Sequence, residues 1–279
     1  MTIRYIDTHT HVNLSAFDAD REEVLARAKS AGVLMINIGT KLSTSQKAVD
    51  IARAHDHAYA VVGLHPVQTV PGLHDEDEVG EGGKPFISKG EIFNSAKMKT
   101  LAEDPKTVAI GECGLDYFHT TPESEAAQRE AFIAQIHLAN ELGKPLMLHI
   151  RNGTDTSKNA YKDVADILKS EAKVQGNAHF FAGSVDDARL YLGTGFSVSF
   201  TGVVTFTRDY DEVVRYVPAD MIHAETDAPY VSPKPYRGQR NEPLYVIEVA
   251  NKLAEIRGAD PEQFREQLLL NAKKLYGIE

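Results

Sequence analysis

The residues able to do chemistry begin near the start of the chain, with Asp7-Thr8-His9-Thr10-His11. Others follow at Glu112 in Ile110-Gly111-Glu112, His149 in Met147-Leu148-His149, His179 in Asn177-Ala178-His179 and Asp227 in Glu225-Thr226-Asp227. Each ends a short apolar run and precedes a loop, where a strand delivers a side chain to a surface. Alternate residues of a strand face the same side, so His9 and His11 point together. Two imidazoles on one face, joined by distant histidines and carboxylates, form a donor set for a divalent metal. Taken singly, a histidine here reads as hydrogen-bonded core and a carboxylate before a loop as a helix cap. Gathered in one place without a cation, so many buried ionisable groups are costly.

The residue types divide into two centres. A first ion takes His9, His11 and Asp227, and a second takes His149 and His179. Glu112 has two oxygens and can bridge them. Paired ions about 3.5–4 Å apart activate water and stabilise both the attacking and the leaving oxygen in a displacement at phosphorus. Asp227 is placed to accept the proton of that water. Mixed imidazole and carboxylate ligation favours zinc, manganese or iron over an all-oxygen magnesium site. The expected cofactor is two divalent ions, with zinc, manganese and magnesium as candidates. Asp7, read on the same strand face as His9 and His11 but deeper, is expected to orient a ligand.

These residues need elements that bring them together. Hydrophobic patterning predicts strands over 4–11, 33–39, 59–64, 107–112, 145–150, 178–181, 196–201 and 221–226. Helices are predicted over 20–31, 43–55, 94–103, 123–142, 161–173, 185–192, 242–257 and 261–276. The first is capped by Asp18 or Asp20, and the long one stops at Gly143. Alternating strands and helices point to an α/β fold, a (β/α)8 TIM barrel, whose usual size is about 250 residues. The metal-type residues fall at the C-terminal ends of strands one, four, five, six and eight, which a barrel gathers at one mouth. A single hydrolase domain over 1–279 is expected. Residues 68–99 form an insertion, long for a βα connection of about 2–6 residues. It carries Asp75, Glu76, Asp77, Glu78, Glu81 and Glu91 among glycines and Pro85. A solvated loop is the simple reading, and an acidic flap limiting entry of long polyanions the sharper one.

The net charge of −10 argues against a broad basic surface that grips duplex nucleic acid. It leaves room for a local phosphate site, because bound metals carry positive charge themselves. Cys113 is the only cysteine, so no intramolecular disulfide forms, which fits a reducing compartment. The first residues hold no apolar run of signal-peptide length, and no segment reaches the roughly 18 apolar residues of a membrane span. A cytoplasmic monomer, with no membrane association, is the expectation.

In combination and order, several motifs resemble the TatD-like metal-dependent deoxyribonucleases of the amidohydrolase superfamily. They are Ile6-Asp7-Thr8-His9-Thr10-His11, Gly63-Leu64-His65-Pro66, Gly111-Glu112-Cys113-Gly114-Leu115-Asp116-Tyr117, His149-Ile150-Arg151, His179-Phe180-Phe181-Ala182-Gly183, Glu225-Thr226-Asp227-Ala228-Pro229-Tyr230 and Arg240-Asn241-Glu242-Pro243. The resemblance spans nearly the whole chain. It implies a (β/α)8 barrel, a binuclear site and phosphodiester hydrolysis on DNA. It places ligands at His9, His11, Glu112, His149, His179 and Asp227, sets His65 near the bound phosphate, and puts Glu225 at a possible third metal. On its own strand parity Glu225 serves equally as an acid behind the ligands. His65 ends the third strand before Pro66, where a histidine can donate to phosphate or a leaving group, which adds it to Asp227 and Glu112 as catalytic. Arg151 shares parity with His149 and fits phosphate or a structural ion pair. Arg237 and Arg240 lie in the loop after strand eight, where guanidinium forks suit phosphate or simply solvent. The chain departs from the family pattern at Asn13, Val67, Ala182 and His223. None of these removes a ligand, and His223 reads as a core histidine.

The expected function is a metal-dependent phosphodiesterase on DNA, a 3′–5′ exodeoxyribonuclease on single-stranded ends, because a barrel mouth admits a strand end more easily than a duplex. Phe118, Phe181, Phe206, Tyr117, Tyr230 and Tyr236 are the candidate stacking residues in a chain without tryptophan. The alternative uses the same ions and water on a small-molecule ester or amide, or on an aminoacyl-tRNA ester. A non-catalytic metal-binding scaffold is opposed by the completeness of the ligand set.

Overall fold

Apolar strands separated by helix-length segments assemble into a sheet that curls until its ends meet. The computed structural model describes residues 2–74, 86–118 and 121–278. In chain order the strands are β1 (Tyr5–Thr10), β2 (Val33–Ile38), β3 (Ala58–Val62), β4 (Pro71–His74), β5 (Phe86–Lys89), β6 (Thr107–Asp116), β7 (Leu146–Arg151), β8 (Gly176–Ala178), β9 (Ser197–Phe200) and β10 (Ile222–Ala224). All but β4 and β5 form one eight-stranded parallel sheet in the order β1-β2-β3-β6-β7-β8-β9-β10. The α-helices are α1 (Arg21–Ser30), α2 (Leu42–Ala54), α3 (Ser95–Ala102), α4 (Pro122–Leu142), α5 (Ala160–Glu171), α6 (Val185–Leu192), α7 (Asp211–Tyr216), α8 (Val246–Arg257) and α9 (Pro261–Tyr276). This is the α/β barrel that the sequence pattern implies. Among the described residues, no helix is long and apolar enough to cross a membrane.

The core has two layers. One lies between strands and helices, with Val24, Leu25, Met35, Val49, Phe132 and Leu253 among its members. The other fills the barrel with Ile6, Leu34, Ile36, Ile38, Val61 and Met147, against Ala272, Tyr276 and Ile278 at the C-terminal end of the chain. The seam between β1 and β10 closes just past the strands, where the Asp227 N–H donates to His9 O at 2.9 Å and the His11 N–H to Ala228 O at 2.8 Å.

Strand register departs from simple alternation at two places that matter. From Asp7 to Thr10 is three steps along β1, but their partners Met35 and Asn37 are two steps apart on β2. From Ile110 to Cys113 is likewise three steps on β6 against two on β7, Leu146 to Leu148. Each extra residue is a bulge that reverses which face the following side chains take. Asp7 is therefore not on the face of His9 and His11 as alternation implied. On β6 the bulge turns Glu112 inward, while Ile110 and Cys113 both join the helix-side core. Gly111, at φ +150°, and Gly114, at φ +143°, pass so close to β7 that a Cβ would collide with the carbonyls of Met147 and His149.

Other boundaries moved. β6 runs on to Asp116 rather than stopping at Glu112, and β8 and β10 end before His179 and Glu225. Helix α7 was not foreseen, and 242–257 divides into a 3-10 turn at Pro243–Tyr245 followed by α8. Asp20 occupies the N-cap position of α1 but makes no capping bond, because its carboxylate pairs with Arg240. The 68–99 insertion is more than loop and helix: β4 and β5 form an antiparallel ribbon, and Glu91 accepts from the Leu42 N–H at the start of α2. The acidic run 75–81, with Gly82, Gly83 and Pro85, lies outside the described residues.

Candidate metal centre

At the C-terminal end of the barrel the other five proposed ligands gather around the carboxylate of Glu112. Its Oε2 stands 3.5 Å from His9 Nε2 and 3.8 Å from His11 Nε2. Asp227 Oδ1 lies 3.6 Å from His9 Nε2 and 3.3 Å from His11 Nε2, and the two imidazole nitrogens are 3.1 Å apart. Four donors around one ion, at metal–ligand distances of about 2.0–2.1 Å, sit about 3.4 Å from each other when tetrahedral. The five measured spacings bracket that value. Glu112 Oε1 faces a second cluster, 2.7 Å from His179 Nε2, 2.9 Å from His149 Nδ1 and 3.3 Å from His65 Nε2. His149 Nδ1 and His179 Nε2 are 3.5 Å apart.

The far ring nitrogens fix the tautomers. His11 Nδ1 is 3.0 Å from the Ile38 carbonyl, which can only accept, so Nδ1 carries the proton and Nε2 keeps a lone pair for the site. His149 Nε2 is 2.9 Å from Asp116 Oδ2, and His179 Nδ1 is 3.5 Å from Glu225 Oε1, so with an ion beside Glu112 both rings would hold their hydrogen on the outer nitrogen and turn a lone pair inward. His9 stacks on His179 with ring centroids 3.8 Å apart. His65 differs: the Val67 N–H donates to its Nδ1 at 3.3 Å, so in the neutral ring Nε2 bears the hydrogen and presents a donor to the site.

The electrostatics ask for positive charge. Burial pushes His9 down to about 3, reinforced by His179. Burial and His149 also hold His65 below the usual imidazole range. Burial works the same way on His11, but the Asp227 carboxylate outweighs it and holds the ring above the usual range. Asp116 and Glu112 do this for His149, and Glu112 with Glu225 for His179. Burial alone would raise Glu112, yet His179, His65 and His9 hold it well below the carboxylate range. In the ion's absence protons on His11, His149 and His179 balance the buried carboxylates, a place a divalent cation fits; His9, His11 and Glu112 form one group able to hold an ion, and His65, Glu112 and His149 a second.

The residues behind the ligands are set by the bulges and the seam. Asp7 does not touch an imidazole ring. It accepts from the Thr226 N–H at 2.8 Å, the Thr226 hydroxyl at 2.5 Å and the His9 N–H at 3.3 Å, tying β1 to the segment that carries Asp227. Asp227 itself has φ +55°, a left-handed backbone that aims its carboxylate at His9 and His11. Glu225 is buried, and its oxygens accept from the Phe180 N–H and the Ser199 hydroxyl, both at 2.6 Å. It also groups with His9 and His179 as a possible ligand set, which keeps both sequence readings of Glu225 in view. Sequence reasoning passed over Asp116 and Thr226. Asp116 follows Glu112 and Gly114 at alternate positions on one strand, a signal that was readable.

The arginines separate. Arg151 is exposed and stacks over Phe118 at 4.1 Å. Arg237 stacks over Phe206 at 4.1 Å and donates to the Ser232 carbonyl. Arg240 is committed to the fold: it donates to Asp20 and to the Ala16 carbonyl, both at 2.6 Å, and covers Phe17. Phe118 and Phe206 are partly exposed, whereas Phe181 is buried in the core.

The family model described as TatD related DNase matches residues 6–277. A Bacillus subtilis protein named uncharacterized metal-dependent hydrolase YabD is 37% identical over 277 residues, spanning 98% of each chain. An Erwinia billingiae protein named 3′-5′ ssDNA/RNA exonuclease TatD is 34% identical, covering 96% of this chain and 97% of its own. The crystal structure of YJJV, a TatD homolog from Escherichia coli, superposes over the whole of both chains with a TM-score of 0.82 at 26% identity. The matching family model, the relatives and the shared barrel agree: this chain belongs to the TatD family of metal-dependent hydrolases.

Proposed function

We propose that the protein is a two-ion phosphodiesterase that removes nucleotides from the 3′ ends of single-stranded DNA. The observation that carries this is Glu112, whose two oxygens face two separate donor clusters. In this reading His9, His11 and Asp227 would hold one ion and His149 and His179 the other, with Glu112 offering one oxygen to each cluster. Zinc, manganese or magnesium there would supply Lewis-acid polarisation of the phosphoryl group and of the attacking water. Asp227 takes up the proton of that water. His65, with its hydrogen on Nε2, donates to the leaving oxygen. Glu225 supports His179 from behind; its two committed oxygens favour this over a third ion. Arg151 and Arg237, each with its guanidinium carbon 4.1 Å from the ring centre of a partly exposed phenylalanine, offer phosphate contacts beside aromatic rings, the pairing that suits an unpaired strand. Arg240 is tied to Asp20 and the Ala16 carbonyl, which makes it a weaker phosphate candidate than Arg151. The 3′ polarity rests on the name of the relatives, which also brings RNA into the substrate panel.

A small-molecule ester or amide, or an aminoacyl-tRNA ester, is the second reading, and the net charge of −10 favours the small molecule. End-labelled single-stranded DNA, duplex DNA, RNA and ester substrates separate the two, using protein stripped of metal and reloaded with each ion. Metal-dependent shortening from the 3′ end, lost in Asp227→Asn, supports the proposal. Ester turnover without DNA cleavage overturns it.

A further inference from the structure

His149 presents its two ring nitrogens to two carboxylates, Nδ1 at 2.9 Å from Glu112 and Nε2 at 2.9 Å from Asp116. Asp116 exists at this place because β6 continues beyond Glu112, with Gly114 opposite His149 and Asp116 opposite Arg151. It is 1% exposed. Its second oxygen accepts from the Phe118 N–H at 2.9 Å. Its backbone is gripped from α4 by Gln128, also buried, whose Oε1 accepts from the Asp116 N–H at 2.8 Å and whose Nε2 donates to the Asp116 carbonyl at 3.1 Å. A carboxylate so held has one orientation available.

We infer that Asp116 is the positioning residue of the second centre: it takes the Nε2–H of His149, fixes the tautomer whose Nδ1 lone pair faces Glu112 and His179, and thereby sets the affinity of the second ion. The inference rests on the two-ion reading. The first centre is oriented by other groups, the Ile38 carbonyl behind His11 and the Asp7 seam behind His9 and Asp227. Loss of Asp116 therefore acts on one ion and spares the other.

The test is a zinc titration of the metal-stripped full chain, with zinc per chain counted by mass analysis. The unaltered protein takes up two ions. In Asp116→Ala the affinity of one step falls by about 10–100-fold and the other step is unchanged. Asp116→Asn offers one acceptor oxygen where Asp116 uses two, on His149 and on the Phe118 N–H, so its loss falls between those of the unaltered protein and Asp116→Ala. His149→Ala loses the same step, and adding Asp116→Ala to it costs nothing further, because the carboxylate acts through the ring. Should Asp116→Ala fail to fold, Asp116→Ser takes its place, too short for His149 but able to accept from Phe118. Two unchanged steps in the alanine variant overturn the inference, as does an additive loss in the double variant. One zinc per unaltered chain overturns the two-ion reading and this inference with it. That failure is distinct, because it is read before any substitution is made.

Discussion

At the scale of single residues, the site works by assigning each ring nitrogen one job. His11, His149 and His179 each face an acceptor with one nitrogen and the centre with the other. His65 reverses the arrangement, because a backbone N–H occupies its Nδ1. That single bond separates a donor from a ligand. His65→Gln is expected to lower kcat by about 10²-fold while leaving zinc per chain unchanged, since general acid catalysis typically contributes 10²–10⁴-fold. Kinetics and metal analysis on the same preparation check this, and a fall in zinc content would make His65 a ligand instead. His9, His11, Glu112, His149, His179 and Asp227 were all legible as candidates, because so many ionisable groups ending apolar runs are costly to gather without a cation. The tautomers were not legible, because they depend on carbonyls and carboxylates from elements far along the chain.

At the scale of elements, bulges and clamps decide what the ligands see. Without the extra residue on β6, Glu112 would follow Ile110 into the helix-side core. Helix α4 carries two buried glutamines seven residues apart. Gln128 clamps Asp116, and Gln135 pairs both backbone groups of Leu64, next to His65, at 2.8 and 3.0 Å. One helix thus holds the ends of two strands in place. Asp7 does the same for the seam. Asp7→Ala leaves the Thr226 N–H buried without its acceptor, which costs about 1–3 kcal/mol. A lower urea midpoint together with weaker zinc binding is expected, because the same bonds align His9 with Asp227. Unchanged zinc affinity would show that the seam is structural only. The strands themselves were readable to within a few residues. Parity arguments failed where a bulge intervened, so Asp7 was placed on the wrong face.

At the scale of the whole molecule, the centre stands where the barrel closes, so metal and fold are linked. An ion bound only by the folded chain stabilises it by about 4 kcal/mol at a thousandfold excess over Kd. For a chain of this size each kcal/mol moves Tm by roughly 2–4 °C. Chelation is therefore expected to lower Tm by on the order of ten degrees, reversibly on adding zinc, in a calorimetric scan; an unchanged Tm would uncouple site and fold. Acid acts on the buried histidines of the site and also on one outside it. His223 is buried in the barrel, with Nε2 2.9 Å from the Ser197 hydroxyl and Nδ1 without a partner. Burial pushes it down to about 3, from an ordinary value of 6.5. The unfolded chain takes up this proton below pH 6.5 and the folded chain does not, so stability falls as the pH drops from about 6.5 towards 3, by about 1.4 kcal/mol per unit. His223→Leu removes that component. Unfolding curves for both proteins between pH 7.5 and 4.5 are expected to diverge in the variant's favour as acid is added, and parallel curves would exclude His223 as the source.

Residue types and their hydrophobic period carried the inventory: six metal-type side chains at strand ends, a barrel to gather them, and a family resemblance that the comparisons uphold. These were legible because ligand chemistry depends on residue type and barrel topology on hydrophobic period, both local properties. Tertiary structure alone decided which oxygen of Glu112 faces which cluster, that Arg240 serves Asp20, and that Asp116 stands behind His149. Each of these depends on contacts between residues tens to hundreds of positions apart. A one-residue bulge, invisible to a period-two pattern, is enough to reverse them.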